Sequence, residues 1–398
     1  MKKFNFNLII FVSCAVLILG GWCSRPFMGN MFYALVDFVK EPNIDEFIAN
    51  VDEGSQKISY QGALLDLYSL NYRYTDTRVV EKPDETVVRL NNGYLSFIHE
   101  KLNDGDLDKM INACVEIQDI TRELDIPFIY VMAPHKAYFG GFPDTIENYY
   151  LEYYETFADK LEKNEIDYIH VVELMQADNI SMEEAFFITD HHWKPETGFW
   201  MANKICEKLS NEYGFAYDES LLDIENYDVK VYENYFLGSQ GRKVGQYFTS
   251  LGMDDFSLIS PKFDTDLQVM DKRGTFTGTF EDTIFDFSFI EYSDKYLDNP
   301  YGIYCGGDFG LQVLDNLQSE DGVKILIIRN SYAGVVSPFL SLVADEVHTV
   351  DVRHWEGTDK SKTILEYIEE LSPDYVLVLY HRFGLDMFEF RNTKQIVY

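Results

Sequence analysis

The sequence predicts an α/β chain: a parallel sheet flanked by helices, with a β-rich insertion and an N-terminal transmembrane helix. Three observations carry that expectation. Short, wholly apolar segments alternate with longer ones whose apolar residues recur at helical spacing. The short segments lack the polar alternation of a half-exposed strand, which is the pattern of strands covered on both faces. An uncharged apolar run also lies close to the first residue, behind two lysines.

That run comes first. Lys2 and Lys3 precede Leu8 to Trp22, and counted from Phe4 the stretch is about long enough to cross a bilayer. The basic end should stay in the cytoplasm, leaving everything after Arg25 outside. A cleaved signal peptide is the competing expectation. Trp22 and Cys23 interrupt a small-x-small cleavage site, and Trp22 is too bulky before Cys23 for a lipoprotein signal, so an anchor is favoured. The organisation expected is an anchor at 1–25, a juxtamembrane helical region at 26–85, and an α/β domain over 86–398.

The later elements follow in order. Tyr60 to Tyr72 carries Leu64, Leu65, Leu67 and Leu70 and predicts a helix. Leu107, Met110, Ile111, Cys114, Ile117, Ile120 and Leu124 mark a second. Ile126 to Met132 is too short and too apolar to be anything but a strand. A helix is expected at Tyr149 to Lys163, then strands at Tyr168 to Val172 and Ala185 to Ile188. Pro195 suits a first helical turn and Gly214 the position past a helix end, which bounds a helix over Pro195 to Tyr213. Towards the C-terminus come a strand at Val323 to Ile328, a helix at Ser337 to Ala344 and a strand at Val347 to Val350. A helix at Thr363 to Leu371 and a strand at Tyr375 to Tyr380 close the pattern. Residues 215 to about 300 break this rhythm with alternating Phe, Tyr, Asp and Thr, and are expected to be the insertion.

Composition narrows the function. The 398 residues hold 33 Lys+Arg against 67 Asp+Glu, a net charge of −34, which argues against a phosphate-tracking nucleic-acid binder. Aromatics make up 16% of the chain; they suit sugar stacking, but an aromatic-rich core is the simpler expectation. The five cysteines form no C-x-x-C pair and no disulfide framework, and Cys114 and Cys206 fall on apolar helix faces.

In open α/β sheets ligands bind at the carboxyl ends of the strands. Five polar groups are expected on that rim: Pro134-His135-Lys136, Asp190-His191-His192-Trp193, Asn330-Ser331-Tyr332, Asp351-Val352-Arg353-His354 and His381-Arg382. Ser331 lies on an expected strand-to-helix turn, where a hydroxyl is presented and the following N–H groups face an oxyanion. A serine nucleophile needs a base, and the base an orienting group. Asp190 and His192, two residues apart in a loop, supply such a pair. Alternatives stand beside this. Ser331 can be a simple turn or cap residue, Asp190 can cap the helix after it, and Asp190, His191 and His192 can be metal ligands. His354, beside Asp351, and His381 are rival bases.

The string Thr189-Asp190-His191-His192-Trp193, the late Arg329-Asn330-Ser331-Tyr332 turn and the apolar N-terminus resemble the DHHW family. More widely the chain resembles the alginate O-acetylation proteins AlgX and AlgJ and their SGNH-hydrolase-like domain. Asn91-Asn92-Gly93-Tyr94-Leu95, Ala133-Pro134-His135-Lys136 and Phe236-Leu237-Gly238-Ser239 are similar to further family segments. The nucleophile turn departs from the family, reading Arg-Asn-Ser where Gly-Asp-Ser is usual. The resemblance implies an SGNH-like sheet with Ser331 as nucleophile, His192 as base and Asp190 as orienter. It also implies Gly238 and the Tyr332 N–H as oxyanion donors, and Lys136, Arg242 and Arg353 as contacts to an anionic substrate. Tyr332, Trp193 and Tyr247 are expected either on sugars or, Trp193 above all, in the core.

The activity so implied is extracytoplasmic transfer of an O-acyl group, acetyl by the resemblance, to a cell-surface polysaccharide, or its removal. The implied partners are the polysaccharide, the membrane and a membrane-bound O-acyltransferase that supplies acyl groups. No cofactor, metal or nucleic acid is expected. The rival class is a non-catalytic carbohydrate-binding or assembly protein on the same fold. A soluble fragment of residues 26–398 is expected to fold and keep any esterase activity in the presence of a chelator. Unfolding or loss of activity on chelation, read by circular dichroism and acetate release, would move the site to a metal centre.

Overall fold

The computed structural model describes residues 61–83, 85–98, 101–102, 104–319, 322–355 and 362–380. The expected N-terminal anchor and the His381-Arg382 rim group lie outside the described residues. Among those described, no helix is long and apolar enough to cross a membrane. The chain divides into two units after Thr75; the described part of the first is helix α1, Gln61–Tyr74.

The second unit is built on strands whose central residues are mostly apolar. β4 (Phe128–Met132) and β13 (Tyr375–Tyr380) are buried at every position, and β11 (Lys324–Arg329) at all but its first. With β5 (Asp167–His170) and β12 (Glu346–Asp351) they form a parallel array in the order β5-β4-β13-β11-β12. Alternate side chains feed two cores, as a period of two requires. Ile129, Val131, Ile325, Ile327, Leu377 and Leu379 pack with Trp193, Phe199 and Ile205. Phe128, Tyr130, Met132, Leu326, Ile328, Val376 and Val378 pack against the opposite layer. That layer consists of α2 (Asp104–Glu123), α3 (Tyr150–Lys163) and α5 (Ile364–Leu371). The first core is covered by α4, Pro195–Tyr213, which starts on Pro195 and ends at Gly214 in the left-handed conformation.

The elements differ from the sequence expectation at several places. The sheet is not wholly parallel: β10 (Gln312–Asn316) runs antiparallel to β12, and β8 (Leu267–Asp271) and β9 (Gly274–Gly278) extend it further. β10 alternates buried and half-buried residues, the pattern of an antiparallel strand with one face less covered than the other. The β-rich stretch is therefore partly sheet extension, together with the separate antiparallel pair β6 (Tyr227–Phe236) and β7 (Asp254–Pro261). A small antiparallel sheet of β1 (Val79–Val80), β2 (Val87–Arg89) and β3 (Leu95–Phe97) precedes α2.

The strand expected at Ala185–Ile188 is absent. Ser181 and Glu184 form a reciprocal capping box that starts a helical turn, Met182–Ala185, and the next residues continue as a loop bridged at Phe186 and Trp193. Likewise β5 stops at His170, because Val171–Ala177 turns helical with the His170 ring accepting from Glu173 N. The helix expected at Ser337–Ala344 is only the turn Ser337–Leu340.

Leu377 is fully buried at the centre of the parallel array. Leu377→Ala is expected to destabilise the fold by about 2–5 kcal/mol. Urea denaturation measures this, and a loss well under 1 kcal/mol would contradict the core assignment.

Candidate active site

Parallel topology places the ends of β4, β11 and β12 on one rim, so the turns carrying Lys136, Ser331 and Arg353 belong there. β11 ends at Arg329. Asn330 caps the turn Ser331–Val335, its side chain accepting from Tyr332 N at 3.2 Å. Helix α4 packs so closely on this turn that a Cβ at Gly198 would lie 2.3 Å from Val335 O. Ser331 is half-buried within this rigid frame.

Asp190 and His192 arrive from elsewhere, on the bent loop ahead of α4. Trp193 Nε1 donates to Tyr332 O at 2.9 Å, and Tyr332 OH donates to His191 O at 2.5 Å. Those bonds tie the loop to the serine turn in both directions. The result is a continuous relay. Asp190 Oδ1 is 2.5 Å from His192 Nδ1, and His192 Nε2 is 2.6 Å from Ser331 Oγ. Asp190 also accepts from His192 N at 3.0 Å and from Ser239 N at 2.5 Å. Its carboxyl is fully buried, which works to raise its pKa. The neighbouring His192 and His191 and the bonds from His192 and Ser239 outweigh burial and hold it well below the usual carboxylate range. Asp190 therefore stays ionised, and its bond to His192 Nδ1 favours the tautomer whose Nε2 faces Ser331 Oγ as an acceptor. With a folded pKa below the unfolded value of about 3.9, the stabilisation is complete above that value and fades as pH falls through the folded one.

The loop approaches this carboxylate at Gly238, where a Cβ would lie 2.1 Å from that of Asp190. Glycine is needed there for contact, and the Gly238 N–H donates to Thr189 Oγ1 at 2.8 Å. With the Tyr332 N–H bonded to Asn330, both expected oxyanion donors already donate within the chain.

Other expectations are corrected too. Lys136 does not face a substrate; it is fully buried, bonded to Phe187 O, Ile188 O and Gln240 Oε1. Arg242 donates to Asp298 O at 3.2 Å, which places it against the chain rather than at the relay. Arg353 is partly exposed, but it pairs with Asp351 at 2.5 Å and Asp308 at 3.0 Å. Arg353 thereby occupies Asp351, so the rival histidine His354 lacks the pairing expected of it. Trp193 and Tyr332 are buried, whereas Tyr247 is 40% exposed. Asp190, His191 and His192 do offer donor atoms within 4.8 Å of one another. Two of these groups are hydrogen-bonded to each other, and His191 Nδ1 contacts Ser239 Oγ at 2.8 Å.

Two residues not singled out from the sequence complete the surroundings. The Tyr301 ring stacks on His192, with centroids 3.9 Å apart and planes 14° from parallel. Asp308 binds Arg329 and Arg353 close to His192; burial raises its pKa, but Arg329, Arg353 and His192 hold it low. Asp308 follows Cys305, Gly306 and Gly307, all at positive φ. That Gly-Gly step is the one local sign that a sharp turn presents a side chain there.

No family model and no curated protein sequence matches the chain. Solved structures do. Bacillus cereus PatB1 with a sulfonyl adduct aligns at a TM-score of 0.63 and 21% identity, over 78% of this chain and 100% of that one. A DHHW family protein from Eubacterium siraeum DSM 15702 aligns at 0.54 and 17%, over 76% and 91%. The O-acetyltransferase domain of Pseudomonas putida AlgJ aligns at 0.43 and 13%, over 76% and 92%, too loosely to carry an argument. The chain thus shares its fold with PatB1 and with a DHHW family protein.

Tyr301→Leu removes the ring stacked on His192, a contact worth about 0.5–1.5 kcal/mol. Modification of Ser331 by a sulfonyl fluoride is expected to slow by up to about tenfold in that variant. An unchanged rate would make the stack a packing contact only.

Proposed function

We propose that the chain is a serine acyltransferase or esterase of SGNH-like fold, acting on O-acyl groups of a polysaccharide through an acyl-Ser331 intermediate. One observation carries this: the unbroken relay from the ionised Asp190 through His192 to Ser331 Oγ. In the proposed cycle His192 takes the Ser331 proton as Oγ attacks the ester carbonyl, then passes it to the departing alkoxide. A sugar hydroxyl, or water, attacks the acyl-serine next, with His192 as base again. The choice of acceptor separates transferase from esterase. The Ser331 N–H opens its turn and has no intrahelical partner, so it is the oxyanion donor this reading employs.

The shared fold adds one support: a PatB1 structure carries a sulfonyl adduct. Acetyl is the acyl group proposed, following the resemblance carried by the Asp190-His191-His192-Trp193 string. The apolar Leu8 to Trp22 run supports an anchor that keeps the domain outside the membrane, where a polysaccharide and a membrane-bound acyl supplier would meet it. One observation favours a non-catalytic binding role instead: the N–H groups of Gly238 and Tyr332 are both engaged within the chain.

A serine-directed sulfonyl fluoride should modify the Ser331 peptide, read by mass spectrometry. Ser331→Ala should abolish labelling with the fold intact. His192→Ala should slow it by about 10²–10⁴. Asp190→Ala should slow it less, as losing the orienting group usually costs less than losing the base. An unlabelled, well-folded wild type that still binds polysaccharide would establish the binding role.

A further inference from the structure

The loop that carries Asp190 is gripped by two buried, opposite charges that take no part in the relay. Lys136, on the turn after β4, donates to Phe187 O at 2.9 Å, Ile188 O at 3.2 Å and Gln240 Oε1 at 3.0 Å. Asp254, the first residue of β7, accepts from Ile188 N, from Thr189 N at 2.8 Å and from Thr189 Oγ1 at 2.5 Å. One charge thus holds the carbonyls of the segment and the other its N–H groups. The next residue is Asp190. Gly241 N reaches Thr189 O at 2.9 Å, and Ser239 N reaches Asp190 itself, so the turn bearing Gln240 is fastened to the same segment.

The bonding partners match a charged pair. All three Lys136 partners are acceptors, as for three ammonium protons; all three Asp254 partners can donate, as for an ionised carboxylate. Lys136 is fully buried and Asp254 2% exposed. Burial pushes the lysine down to about 7 and the carboxyl up to about 6, against the attraction of the opposite charge and, for Asp254, the bonds it accepts. The groups facing them are Tyr94, whose ring lies 5.8 Å from the Lys136 ammonium and whose hydroxyl is pushed up to about 12 by burial, and Asp190.

We propose that Lys136 and Asp254 are positioning residues of the acyl-transfer site, a pair of buried opposite charges that fixes the Phe187–Thr189 peptide and so aims Asp190 at His192. The proposal rests on the acyl-serine reading. Its signature is loss of turnover that does not follow loss of stability, because a small displacement of a catalytic group is costly even in a folded chain.

The test uses Lys136→Met, Asp254→Asn and the double variant. Each single variant leaves one charge buried without its partner and should melt well below the wild type. The double variant leaves neither, and should recover most of the melting temperature. Its kcat on an acetyl ester should nonetheless remain roughly 10- to 100-fold low, with KM within about twofold. Wild-type kcat in the double variant would overturn the proposal, as would a loss confined to KM. Should the variants fail to fold, amide exchange in the wild type decides. The Ile188 and Thr189 amides should be as protected as those of β11, and exchange typical of an exposed loop would overturn the clamp. Failure of the catalytic reading is distinct from this. It appears as a wild type whose Ser331 cannot be labelled, and the exchange measurement still reports on the clamp.

Discussion

The site depends on keeping one buried carboxylate charged. Asp190 lies out of contact with water, where an isolated carboxylate would take up a proton. It remains an anion because its oxygens accept from the His192 ring, the His192 N–H and the Ser239 N–H, with His191 beside it. A neutral Asp190 would no longer hold the His192 tautomer, and in the proposed cycle Ser331 would lose its base. Much of the surrounding structure serves this point: the glycine contact at 238, the Tyr332 bonds to the loop, and the peptide held by Lys136 and Asp254.

The parallel array was legible in the sequence because both faces of its strands are covered. Segments such as Tyr375–Tyr380 and Lys324–Arg329 cannot be exposed on either side, so they read as strands without an alignment. Asp190, His192 and Ser331 were expected together from a spaced acid-base pair and a turn serine, and the fold brings the three side chains within hydrogen-bond distance. What could not be read is tertiary in origin. Lys136 is a charged residue in a turn, and nothing in its neighbours announces that Phe187, Ile188 and Gln240 will enclose it. Tyr301 reaches His192 from 109 positions later in the chain, and only the fold brings the rings together. The false strand at Ala185–Ile188 has a local cause: Ser181 and Glu184 cap a helical turn that the apolar run conceals.

A shared fold does not by itself fix the chemistry. The likeness to PatB1 and to the DHHW family protein, at 21% and 17% identity, establishes the architecture. The chemistry rests on this chain's own distances, above all 2.5 Å and 2.6 Å along one line of three side chains. The departures from the resemblance follow the same division. Asn330 stands where an SGNH turn usually has Asp, and here it caps the serine turn through Tyr332 N. Arg353, expected to contact an anionic substrate, pairs with Asp308, which Arg329 binds from the other side.

The central claim is that Ser331 becomes acylated through this relay. Acid quenching of the wild-type chain during turnover of an acetyl ester, followed by peptide mapping, tests it most directly. The account predicts an acetyl group on the Ser331 peptide at early quench times, consumed when a sugar acceptor is added. Turnover with no chain-bound acetyl at any quench time, or with the acetyl group on another residue, would contradict it.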